Sequence, residues 1–338
     1  MNILDTIPKI SLANIPTPLE DAPRLANKIG LSKLFIKRDD LTGLAGGGNK
    51  ARKLEYDFAE IINGGYDVVL TAGGIQSNHA RMTAAAARKL GLDVKLVLGG
   101  PDFNHYKGNL LLDVLFGVEI KYLIDDDAND HLTLAMESWA DELKSSGRKP
   151  FIIPIGGSSG LGSLGYVKAM EELSHQLQNK NVQIILGVGS CGTFAGTILG
   201  AKIFLPESRV IGISVSRTAE AIKKRTKEIM LESMDIINCN INLDELLIEC
   251  YDDYHQEYGI ITSDDEKAIL DCANLEGILL DPIYTGKVMA GLIDLADKNI
   301  IDKNIPVVFI HTGGMPIIFS FETELAKTAH CIKVKNIT

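Results

Sequence analysis

No stretch of the chain stays apolar for the roughly 20 residues that a membrane-spanning helix needs. The N-terminal segment MNILDTIPKISLANIPTPLE has no basic stretch followed by an apolar one, so a secretory leader is not expected either. Cysteine is sparse: Cys191, Cys239, Cys250, Cys272 and Cys331 make an odd set of five with no CxxC pair. That argues against a disulfide framework or a zinc ribbon and for reduced thiols in a cytoplasmic protein. The seven histidines include no HxH or HxxxH pair, and no metal site is expected. Positive charge is also in deficit. Thirty-four Lys and Arg face 44 Asp and Glu, a net charge of −10, which disfavours nucleic acid or an anionic membrane as partner. Low-complexity segments and internal repeats are lacking too.

What remains is an ordinary apolar content, 46% of 338 residues, enough for two compact domains or one large α/β unit. Short apolar runs read as strands at Leu34–Lys37, Val68–Ala72, Val94–Leu98, Glu119–Leu123, Phe151–Ile155, Ile184–Val188, Val210–Val215 and Val307–His311. Segments of helical period lie between them, among them Ala51–Asn63, Ser77–Lys89, Thr133–Ser145, Val167–Gln178, Thr193–Phe204 and Asp264–Asn274. This alternation predicts an α/β fold with mostly parallel sheets joined by right-handed crossovers. Glycine-rich turns follow several strands, where open α/β sheets bind ligands.

Five motifs bear on chemistry. Gly46-Gly47-Gly48-Asn49-Lys50-Ala51-Arg52-Lys53 joins a permissive turn to a helix start. Asn49 is placed to cap that helix, and the helix dipole disfavours the charged form of Lys50. Taken alone, the simpler reading is a solvated basic cluster on a surface helix. Gly73-Gly74-Ile75-Gln76-Ser77-Asn78-His79 follows a strand. Ser77 or Asn78 there is an N-cap, or part of a carboxylate-gripping loop at a helix N-terminus. Gly187-Val188-Gly189-Ser190-Cys191-Gly192-Thr193 is a strand-to-helix turn suited to phosphate. Its GxGxxG pattern lacks the acidic ribose ligand that a dinucleotide site carries at the next strand end, where Arg209–Ser216 lies. Leu280-Asp281-Pro282-Ile283-Tyr284-Thr285-Gly286-Lys287 and His311-Thr312-Gly313-Gly314 are polar glycine turns with ordinary turn chemistry as the plain alternative.

As a set, these motifs resemble the fold-type-II pyridoxal-5′-phosphate (PLP) enzymes, tryptophan synthase β-like. More narrowly, they resemble the family that holds D-cysteine desulfhydrase and 1-aminocyclopropane-1-carboxylate (ACC) deaminase. Pro16-Thr17-Pro18-Leu19 and Lys37-Arg38-Asp39-Asp40 belong to the same pattern, which runs in order over most of the chain. The resemblance implies two open, twisted, mostly parallel sheets with helices on both faces. Residues 1–54 and 161–338 would form a large PLP-binding domain, and residues 55–160 a small inserted α/β domain. It implies that Lys50 carries the cofactor and acts as catalytic base. Asn78 would bond the cofactor's phenolic oxygen. Gly189, Ser190, Cys191, Gly192 and Thr193 would hold the phosphate, and Thr285 and Thr312 would face the pyridine nitrogen. Ser77 and Tyr284 would act on the substrate, with Asn78, His79 and Tyr258 lining its pocket. A homodimer acting on a small amino acid is implied as well.

Within that family, ACC deaminases have a glutamate after the tyrosine, where this chain has Thr285, and a leucine in place of Thr312. A carboxylate there stabilises a protonated pyridine and deepens the electron sink. A hydroxyl leaves it shallower, which β-elimination tolerates. The pattern therefore implies α,β-elimination, with D-cysteine and water giving pyruvate, hydrogen sulfide and ammonia. L-cysteate sulfo-lyase and ACC deaminase activity are the alternatives. A PLP-binding protein without turnover and a nucleotide-binding dehydrogenase are the readings from other classes.

Overall fold

The computed structural model describes residues 3–101, 106–126, 128–254 and 259–328. Tyr258 and Cys331 lie outside them. The strands are β1 (Leu19–Asp21), β2 (Leu34–Lys37), β3 (Val68–Gly74), β4 (Asp93–Gly100), β5 (Glu119–Ile124), β6 (Pro150–Ile152), β7 (Gln183–Val188), β8 (Arg209–Ser214), β9 (Glu249–Tyr251) and β10 (Val307–Ile310). The first helices are α1 (Pro23–Ile29), α2 (Lys50–Asn63), α3 (Asn78–Lys89), α4 (Gly108–Leu115), α5 (Asn129–Ser145) and α6 (Gly160–Gln176). The rest are α7 (Gly192–Phe204), α8 (Ala219–Ile236), α9 (Ser263–Glu276), α10 (Thr285–Asp297) and α11 (Glu322–Thr328). None of the described helices is long and apolar enough to cross a membrane.

Two sheets result, one of six strands in the order β1-β2-β10-β7-β8-β9 and one of four in the order β5-β4-β3-β6. Every strand pair is parallel except β1 with β2 at one edge, so the chain has the expected α/β fold with mostly parallel sheets. Side chains alternate across each strand, and burial on both faces explains the continuous apolar runs. In the larger sheet Ile184, Leu186 and Val188 of β7 face α6, α7 and α8. Ile185 of β7 and Val307 and Phe309 of β10 face α1, α9 and α10. In the smaller sheet Val69 packs toward α2 and α3, while Val68, Leu70 and Ala72 pack toward Leu132, Met136 and Trp139 of α5.

Chain order reverses between β7 and β10 in the first sheet and between β3 and β6 in the second. Ligands of open α/β folds bind outside the carboxyl ends of strands at such switch points. Several boundaries differ from the sequence reading. Helix α6 begins earlier, because Ser159 accepts the Gly162 amide as its N-cap. The strand read as Phe151–Ile155 ends at Ile152, and Ile155 opens a single tight turn.

Candidate active site

A cavity of about 290 Å³ lies where the two switch points meet, near the lower end of the roughly 300–1,000 Å³ usual for ligand pockets. Its wall takes residues from the ends of β3, β7, β8 and β10 and the starts of α2, α3, α5 and α7. Of the residues singled out in the sequence, Lys50, Ser77, Asn78, His79, Gly189, Ser190, Cys191, Thr193, Tyr284 and Thr312 line it. Gly192 and Thr285 do not belong to the wall.

Lys50 is the first residue of α2. Among the described residues no hydrogen bond or ion pair engages its amine. Burial alone pushes the ammonium down to about 8, which adds to the unfavourable dipole at the helix start. The neighbouring cations are not a solvated cluster. Arg52 is 2% exposed and Lys53 fully buried. Arg52 pairs with Asp39 and Glu172, both at 2.9 Å. Lys53 gives its ammonium hydrogens to the Gly156 carbonyl at 2.6 Å and to Ser158 Oγ at 3.2 Å. Burial and the nearby Lys50 push the Lys53 ammonium well down. Burial pushes the Asp57 carboxyl up to about 7.

Asn49 does not cap α2. Its Nδ2 donates to Thr193 Oγ1 at 2.8 Å and its backbone amide to the Thr312 carbonyl at 2.9 Å. One residue thus ties the start of α2 to the start of α7 and the end of β10. The preceding glycines serve this packing and leave the ligand surface to others. A Cβ on Gly47, whose φ is +79°, would lie 1.8 Å from the Asp40 carbonyl, a contact only glycine permits.

The turn from Gly189 to Thr193 ends at the N-terminus of α7. A helix start leaves its first amides without intrahelical acceptors. Among the described residues, those of Ser190, Cys191 and Thr193 find none elsewhere. The Gly192 amide is already engaged, at 3.1 Å by the Ser190 carbonyl and at 3.2 Å by Ser158 Oγ. Positive φ falls on Cys191, at 71°, and not on Gly192. A Cβ on Gly192 would meet Lys53 Nζ at 2.7 Å and Ser158 Oγ at 2.9 Å.

Ser77 is the N-cap of α3, its Oγ accepting the Ala80 amide at 3.1 Å, which leaves its own hydrogen for a ligand. His79 sits 3.0 Å from Thr71 Oγ1, and that hydroxyl donates to the Ile153 carbonyl at 2.9 Å. The hydrogen between them therefore belongs to Nε2. Burial, with Lys50 and Lys53 nearby, keeps the imidazole neutral. The Thr285 hydroxyl donates to Asp281 Oδ2 at 2.7 Å and accepts the Asp281 amide at 2.8 Å. Burial pushes the Asp281 carboxyl up. Asn129, Leu132, Ser216 and Arg217 also line the cavity. Nothing local in the sequence marks them as wall residues, since only the meeting of the two sheets brings them there.

These features fit PLP. Unpaired amides and the positive end of α7 suit a phosphate, and an amine without a partner suits a covalent bond to an aldehyde. The pyridoxal-phosphate dependent enzyme family matches residues 10–313. D-cysteine desulfhydrase of Klebsiella pneumoniae is 39% identical over 331 residues, 95% of this chain and 98% of that one. A Pyrococcus abyssi protein, named as a candidate ACC deaminase, is 41% identical over 326 residues, 96% of each chain. A solved structure of an ACC deaminase homologue superposes with a TM-score of 0.90 at 40% identity, covering 96% of this chain and 98% of that one. The chain belongs to the pyridoxal-phosphate dependent enzymes, in the family of ACC deaminase and D-cysteine desulfhydrase, and PLP is its cofactor.

Proposed function

We propose that the protein catalyses α,β-elimination on a small β-substituted amino acid, D-cysteine before others, releasing pyruvate, ammonia and hydrogen sulfide. The observation that supports this most directly is the make-up of the wall: among the described residues, none of those lining the cavity is an aspartate or glutamate. Bound PLP supplies an electron-withdrawing ring conjugated to the amino group of its substrate. A wall carboxylate would hold a proton on the ring nitrogen and strengthen that withdrawal. The Thr312 hydroxyl cannot. Elimination needs less of it, because the electron pair departs with the β-substituent, whereas a cyclopropane expels no stable anion.

The chain's own groups then have defined tasks. The positive end of α3 and the free Ser77 hydrogen bind the substrate carboxylate. Lys50, with its ammonium pushed down to about 8, has an appreciable free-amine fraction near neutrality and takes the α-proton. Breaking the carbon–sulfur bond sends the electron pair out on sulfur. Tyr284, a residue of the wall, gives that group a proton in this reading. Water converts the enamine left behind into pyruvate and ammonia.

Arg217 favours a second reading. Arg217 lines the cavity, and its guanidinium has no paired acid among the described residues, which suits the sulfonate of L-cysteate and release of sulfite. The division into residues 1–54 with 161–338 and an inserted part at 55–160 belongs to the main proposal. The four strands of the smaller sheet, all between Val68 and Ile152, support it. A homodimer belongs to the same proposal, and light scattering checks it. A pyruvate assay over D-cysteine, L-cysteate, chloroalanine and serine tests the chemistry. Silence with all four would refute it.

A further inference from the structure

We propose that Asn109 is a positioning residue, holding the Asn78 side-chain amide with its nitrogen toward the cavity so that this wall accepts only an acceptor oxygen. The proposal rests on the PLP reading of the site.

The orientation follows from groups that can play only one role. Asn109, the second residue of α4, is fully buried. Its Nδ2 lies 2.8 Å from the Gln76 carbonyl. That oxygen can only accept, so the nitrogen of Asn109 must face it. The other hydrogen on Nδ2 is directed at Asn78 Oδ1, 2.9 Å away. Arg81 agrees. Its guanidinium only donates, and it gives Nη1 to the Ala45 carbonyl at 2.8 Å and Nη2 to the Gly47 carbonyl at 3.2 Å. Nη2 also lies 3.4 Å from Asn78 Oδ1. The Asn78 oxygen therefore faces two donors. Its Nδ2 has no partner among the described residues, and Asn78 lines the cavity.

The Gln76 side chain locks the arrangement from behind. Its Oε1 accepts the Asn109 amide at 2.9 Å and its Nε2 donates to the Lys107 carbonyl at 3.1 Å. Gly108 permits this close approach, since a Cβ there would come within 2.4 Å of Gln76 Oε1. Turning the Asn78 amide over would set its hydrogens against those of Asn109 and Arg81. It would also present an oxygen to whatever oxygen the ligand brings. That acceptor oxygen belongs either to the cofactor ring or to the substrate carboxylate.

The test compares Asn109→Asp with Asn109→Ala in the PLP-loaded enzyme. Aspartate keeps the shape of asparagine, but once ionised beside Arg81 it has no hydrogen to give, so Asn78 must turn its nitrogen away from the cavity. Alanine removes the holder and leaves Arg81 in place. The expected result is that Asn109→Asp is the worse variant. Its Kd for PLP should rise about tenfold or more, the scale of a lost hydrogen bond to a charged group. The pH midpoint of the bound cofactor's visible absorbance should rise as well. If PLP affinity and midpoint hold while KM rises about tenfold, the orientation stands and the acceptor oxygen is the substrate's. A merely structural Asn109 reverses the order, with alanine worse than aspartate, and that result overturns the proposal. So does an Asn109→Asp enzyme equal to wild type in Kd, midpoint and KM. Should Asn109→Asp fail to fold, Asn109→Ser decides. It keeps one donor and must fall closer to wild type than Asn109→Ala, and equality of the two refutes the role. Failure of the underlying reading shows separately, as wild-type protein that gains no visible absorbance with PLP.

Discussion

Replacing the Lys50 amine should make the cofactor-free protein more stable while abolishing its activity. Lys50 is held at the cavity with its ammonium pushed by burial from 10.5 to about 8. At 1.36 kcal/mol per pH unit, that drop corresponds to about 3 kcal/mol of stability forgone at neutral pH. Water in the cavity relieves part of this, so about 1–3 kcal/mol is expected for Lys50→Met, which keeps the length and removes the charge. The pH dependence has a definite sign. The folded pKa lies below the unfolded one, so the unfolded chain binds the extra proton between about pH 8 and 10.5. Wild-type stability rises relative to the variant across that window, and the full gap is present only below it. Urea midpoints of both cofactor-free proteins at about pH 7 and about pH 9.5 give the assay. The variant should lead at the lower pH and the lead should narrow at the higher. Equal midpoints at both, or a less stable variant, would refute the claim that the site is paid for by burying an unpartnered amine.

Borohydride reduction of the PLP-loaded enzyme and peptide mapping should place the pyridoxyl group on Lys50; a label on Lys53 would contradict the assignment. Gly192→Val should weaken PLP binding strongly, because its side chain would strike the Lys53 ammonium and Ser158, whereas Thr193→Ala, which loses only the bond from Asn49, should weaken it modestly. Equilibrium dialysis separates the two, and an unchanged affinity in the valine variant would count against the placement. Thr285→Val should cost about 1–2 kcal/mol in a urea titration, since it removes both bonds that the hydroxyl makes with Asp281.

The central strands were legible because each is a compact apolar run buried on both faces, as with Ile184–Val188 and Val307–Ile310. The edge strands β1 and β9, with sequences LED and ECY, carry no such run. They are strands because a neighbour offers a free edge. Ser77 was readable as a cap, since capping is local chemistry that a sequence displays. Arg52 and Lys53 were not readable as buried, because their partners Asp39, Glu172, Gly156 and Ser158 lie far off in the chain or beyond the local motif. Asn49 shows the same limit: its partners Thr193 and Thr312 come together only once both sheets are built. In the turn before α7 the positive φ falls on Cys191, a residue whose type gives no hint of it.

The most direct test of the central claim compares products from one preparation of PLP-loaded enzyme. Given D-cysteine or another β-substituted alanine, it should release pyruvate, with hydrogen sulfide in the D-cysteine reaction. Given ACC, it should form almost no 2-oxobutyrate, because the described residues put no carboxylate in the cavity wall. Efficient opening of ACC, with every β-substituted alanine left untouched, would contradict the account.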